Sequence, residues 1–130
     1  MPARPVLWSI GYVSIAADPL SRRQLDAILE TSRRANSQVG VTGLLLHCEG
    51  SFLQVIEGSR AGVDEIFGRI RRSPLHCDIL QLFDEPIEER EFGDWAMACK
   101  QVEPDELRVL RNAPAGSNRK LLADYWQAWH

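Results

Sequence analysis

Residues 39–58, VGVTGLLLHCEGSFLQVIEG, read as two strands joined by a tight turn at Glu49-Gly50. The second half carries Phe52, Leu53, Val55 and Ile56, with Gln54 in their midst. A strand alternates faces with period two, so Gln54 points the same way as Phe52 and Ile56. A buried amide without partners costs about 1–3 kcal/mol. Its side chain must therefore meet another polar group.

Working outward, residues 6–14 (VLWSIGYVS) form a strand that puts Trp8, Ile10, Tyr12 and Ser14 on one face. Ser21 and Gln24 have capping-box spacing, with Leu20 ahead of them as a hydrophobic staple. The helix they open turns Leu25, Ile28, Leu29 and Ser32 inward. Asn36 comes eleven positions after Leu25, close to a whole number of turns, so a second amide lies on the buried face at the helix end. Past the hairpin, Ser59 caps a second helix with Val63, Ile66, Phe67 and Ile70 at i, i+3, i+4, i+7 spacing, and Pro74 ends it. A fourth strand is expected at 77–83 and a fifth around 95–100. The order β-α-β-β-α-β predicts an α+β class, ferredoxin-like sandwich with an extra strand.

The composition changes after Lys100. A short helix begins near Pro104, NAPAGSN breaks it, and Ser117 caps a last helix carrying Leu121, Leu122, Tyr125, Trp126 and Trp129. Residues 1–100 thus read as one domain and 101–130 as a helical extension. So many large apolar side chains predict that the extension covers the open face of the sheet or docks on another subunit.

With 130 residues the chain supports one core, and 45% hydrophobic with 25% charged residues is an ordinary globular balance. A net charge of −3 with scattered arginines argues against nucleic acid or an anionic membrane as partner. No apolar run is long enough to span a bilayer, and the N-terminus makes a poor signal peptide. Three widely spaced cysteines, Cys48, Cys77 and Cys99, fit free thiols in a reducing compartment, so a cytoplasmic location is expected. His47-Cys48-Glu49 and His76-Cys77-Asp78 invite a metal reading, but adjacent strand residues face opposite ways and no C-x-x-C pair accompanies them. Glycine-rich nucleotide loops are absent as well.

What remains is a set of inward polar groups: Tyr12, Ser14, Asn36, Thr42 and Gln54. Each alone reads as a satisfied core residue. Together, walled by Ile28 and Ile70, they suit a flat heteroaromatic ligand with hydrogen-bonding edges.

Four segments in order carry a family resemblance: YVS at 12–14, SRRANSQVGVTGLLL at 32–46, FLQVIEG at 52–58 and PIEEREFGDWAM at 86–97. Over residues 6–100 the chain resembles the BLUF domains, blue-light sensors that bind a flavin. The resemblance implies non-covalent FAD, with FMN the alternative, in a sensory domain at 1–100 that is not an enzyme. Asn36 would bond the polar edge of the flavin ring. Tyr12 would bond Gln54 and serve as the light-driven electron and proton donor, leaving the Gln54 amide rotated or tautomerised. Either Trp95 or Met97, two apart on the fifth strand, would lie next to Gln54, with Ser14 in support. Arg69 and Arg72 are the candidates for the ribityl-phosphate arm. One departure is Ser73-Pro74-Leu75-His76, where the family often has Asp-x-Arg-His. Output is expected through a homo-oligomer or a downstream protein partner. The rival reading is a flavin-free ferredoxin-like interaction module, which purified colour would distinguish.

Overall fold

The structure, a computed structural model, describes residues 6–17, 19–93, 96–114 and 116–129, apart from the side chains of His76 and Trp129. Five strands form one sheet in the order β4-β1-β3-β2-β5. They are β1 (Leu7–Ala16), β2 (Thr42–Cys48), β3 (Ser51–Ser59), β4 (His76–Ile87) and β5 (Ala98–Gln101). The first four pair antiparallel, and β5 adds to β2 in parallel. Helices α1 (Arg22–Gln38) and α2 (Arg60–Arg72) lie on one face; α3 (Pro104–Arg111) and α4 (Asn118–Trp129) follow β5. This is the expected ferredoxin-like α+β arrangement with one extra strand. Among the described residues no helix is long and apolar enough to cross a membrane.

Local chemistry explains the elements. Ser21 Oγ accepts from the Gln24 amide while the Gln24 side chain accepts from the Ser21 amide, closing both ends of the capping box. Ser59 Oγ accepts from the Gly62 amide at the start of α2. The β2–β3 turn holds Glu49 and Gly50 at φ 49° and 82°, the doubly positive pair that a two-residue hairpin loop demands. At Gly43 the strands approach so closely that a Cβ would lie 2.2 Å from the Val55 carbonyl oxygen. Gly43→Ala must push β2 from β3, and we expect a loss of about 1–3 kcal/mol in urea unfolding. Wild-type stability in that variant would mean the strands have slack.

The sheet has two dry faces. Ile10, Tyr12, Leu45, Phe52, Ile56 and Met97 pack with Leu29 of α1 and Val63, Ile66 and Phe67 of α2. On the other side Leu44, Leu46, Leu53, Val55 and Phe83 pack with Leu107 and Leu110 of α3 and Leu122 and Trp126 of α4. The extension thus covers the open face of its own sheet. Three boundaries differ from expectation. β1 runs to Ala16 and β4 runs on to Ile87, with register shifts against β1 at Gly11/Tyr12 and Val13/Ile15 that let the long edge strand follow the twist. β5 begins only at Ala98, so Met97 sits on the approach to the strand and not within it.

Candidate functional site

The β1–β3 register makes Tyr12 and Gln54 direct Cα partners, so their side chains leave the sheet side by side toward α1 and α2. Tyr12 is fully buried, and its hydroxyl donates to Gln54 Oε1. Burial pushes the Tyr12 phenol far above the usual tyrosine range, so it is neutral at any physiological pH. Its ring packs on Phe67 at 5.4 Å between centroids, tilted by 34°. With Oε1 occupied, Gln54 turns Nε2 toward Met97 Sδ at 3.5 Å, a weak acceptor. The amide of the opening hairpin therefore faces a phenol on one side and a thioether on the other.

Gln54 also reaches a cavity of about 320 Å³ that lies between α1 and α2. Ile28, Ile66 and Ile70 give it apolar walls, and Asn36 and Gln54 supply carboxamides. Arg69 and Leu75, both exposed, mark its rim. Asn36 is held in place: Nδ2 donates to Ala96 O at 2.7 Å, and its backbone carbonyl oxygen accepts from the Val41 amide at 2.9 Å. A narrow slot with apolar sides and two amides in its wall suits a flat ring with donor and acceptor edges.

The structure thus brings Tyr12, Gln54, Asn36, Met97, Ile28, Ile70 and Arg69 to one locus. Arg69 is also paired with Glu65 at 3.1 Å. Thr42 is a correction: it pairs with Glu57 on β3, three residues from Gln54, and so belongs to the opposite face. Arg72 is exposed and does not line the cavity. Ser14 is buried beside Phe52 at the hairpin end of β1, away from the slot. Trp95 lies outside the described residues. Arg33 was missed: its Nε donates to Met97 O at 3.0 Å. Its position one turn before Asn36 was the available signal, but a surface-helix Arg-Arg pair reads as solvated.

The slot, the phenol–amide pair and the sheet order define a ferredoxin-like domain with a slot that suits a flat heteroaromatic ligand. The family described as BLUF, sensors of blue-light using FAD, matches residues 7–98, and the chain belongs to that family of blue-light flavin sensors. It is 38% identical over 98 residues to the photoactivated adenylate cyclase subunit beta of Euglena gracilis, an alignment covering 75% of this chain and 11% of that protein. The chain spans about a tenth of the length of the curated relatives it matches. Among solved structures it is similar to BlrB, a BLUF protein in its dark state, with 32% identity and a TM-score of 0.77 over 95% of this chain and 97% of that one. It is also similar to Klebsiella pneumoniae BlrP1 with FMN and cyclic diGMP, with 26% identity and a TM-score of 0.71 over 90% and 34% of the two chains.

Proposed function

We propose that the chain is a cytoplasmic blue-light photoreceptor that holds FAD in the α1–α2 slot and signals by protein–protein contact, without being an enzyme. The observation that carries this is the Tyr12–Gln54–Met97 contact series opening onto the slot wall. Bound there, flavin supplies a blue-light absorber that is a strong one-electron oxidant once excited. Asn36 would hold the polar edge of the ring, while Ile28, Ile66 and Ile70 would keep water from it. FAD is favoured over FMN by the family's own description, and Arg69 is the one cation lining the slot among the described residues.

Tyr12 supplies the electron and the proton. A neutral phenol that loses an electron becomes a strong acid, and its proton already points at Gln54 Oε1. An amide that gained this proton at oxygen would shed one from nitrogen, with a flavin bound in the slot as the acceptor of both that proton and the electron from Tyr12, so Gln54 would return as a tautomer or rotated. Either way the groups it shows to Met97 Sδ and to the slot are exchanged. Tyr12, Gln54 and Asn36 include no charged base, and a neutral phenol and two amides make a poor nucleophile–base set, so the site reads as sensor chemistry. The C-terminal extension is the surface we assign to contact with an effector or a second copy.

The test is an absorption spectrum of the flavin-loaded protein before and after blue light. A red shift of the flavin band that reverses in the dark is expected. Permanent bleaching, or no shift, would overturn the reading.

A further inference from the structure

Met97 follows, five residues on, a stretch at 90–92 that is held from several sides. Glu57 sits on β3, three residues from Gln54 and on the opposite face, and is fully buried. Its carboxylate accepts from the Glu91 amide at 2.8 Å, the Phe92 amide at 2.9 Å and Thr42 Oγ1 at 2.9 Å. Arg90 threads alongside: its guanidinium donates to Gly40 O at 2.7 Å, to Thr42 Oγ1 at 2.8 Å and to Glu57 O at 3.2 Å. The Glu91 side chain is taken by Arg119 of α4 at 2.6 Å, and Arg119 also holds Glu85 at 2.6 Å. Phe92 is buried against Trp126. Residues 90–92 are therefore bound at once to β2, β3 and α4.

A buried carboxylate is costly unless it is fully hydrogen-bonded, and an apolar residue would pack the same volume at less cost. What a carboxylate adds is position, because two consecutive amides converge on it. At the far end the attachments are of another kind. Ala96 O and Met97 O are held by Asn36 and Arg33, and Met97 Sδ by the Gln54 amide itself.

We propose that Glu57 and Arg90 anchor residues 90–92, so that a change of the Gln54 amide displaces Met97 into β5. The proposal rests on the amide-switch reading above, and Glu57 is in it a positioning residue. β5 suits the receiving role: it is a four-residue edge strand paired to β2 alone, and Lys100 on it donates to the Tyr125 hydroxyl of α4 at 2.8 Å.

Glu57→Gln tests it in the FAD-loaded protein, since an NH2 facing an amide donor must break one of the two backbone bonds. The reversible red shift should keep its wild-type amplitude, because Tyr12 and Gln54 are untouched. The light-minus-dark difference in hydrogen exchange at residues 98–101 should fall at least threefold. Thr42→Val, which keeps the shape and removes only the bridging hydroxyl, should give a smaller loss and serves if the first variant does not fold. A full exchange difference in these variants, or one lost in parallel with the red shift, overturns the anchor. Absence of any red shift in the wild type indicts the flavin reading instead. In that case faster exchange of the Glu91 and Phe92 amides in flavin-free Glu57→Gln still supports the anchor, and unchanged exchange refutes it.

Discussion

A Gln54→Leu variant is expected to bind flavin and yet show no reversible red shift under blue light. Leucine is close in shape to glutamine, and the residue is buried between Tyr12, Met97 and the slot, so the cavity should keep its walls. What disappears is the group that, among the described residues, contacts both the Tyr12 hydroxyl and Met97 Sδ. Without it, charge separated from Tyr12 has no amide to rearrange and must recombine to the starting state. The stability effect is modest by comparison: Tyr12 loses its acceptor at a cost of about 1–3 kcal/mol, offset by burying hydrocarbon where an amide stood. Difference spectroscopy on the purified variant decides the matter. A surviving red shift would show that the response originates elsewhere in the slot. Tyr12→Phe is the companion measurement, since it leaves the amide and removes its proton source. If the two variants fail alike, donor and relay belong to one sequence of events.

The central pair was readable because strand alternation and hairpin chemistry act over a few residues. Period two put Tyr12 and Gln54 inward on strands that this topology makes neighbours, and helical periodicity put Asn36 on the buried face of α1. Capping at Ser21 and Ser59 followed from side-chain reach alone. Features set by long-range register were less legible. Thr42 looked inward, but β2 pairs with β3 so that Thr42 meets Glu57 and Leu45 meets Gln54, and one residue of register separates the faces. The start of β5 at Ala98 also escaped the pattern, because what stops the strand from beginning earlier is a set of side chains from α1 gripping the Ala96 and Met97 carbonyls. Glu57 was passed over as a motif letter. Nothing local says that an acid in a strand will be buried; the two amides that receive it lie more than thirty residues further along.

The aromatic C-terminus shows the same division, and it yields the second large effect. Its composition says that the last helix must bury itself, and the structure says where: Trp126 is 3% exposed and packs with Leu44, Leu53, Val55 and Phe83 of its own sheet. Its ring lies 6.4 Å from that of Phe92, tilted by 60°. Trp126→Ala should therefore cost about 3–5 kcal/mol, the transfer of an indole plus the cavity left under α4. Against a typical total of about 5–15 kcal/mol this is about a fifth of the fold or more. Urea unfolding is expected to show a lower midpoint, with no change of size for the folded fraction on gel filtration. A variant of wild-type stability but altered size would instead place Trp126 at a subunit interface. Phe92 makes the test sharper, because it comes from the segment that Glu57 anchors. A double-mutant cycle between Phe92→Leu and Trp126→Ala should return a coupling of about 0.5–3 kcal/mol, as expected for side chains in contact. Additive losses would mean that α4 engages the anchored segment through the Arg119–Glu91 ion pair and not through the aromatic side chain of Phe92.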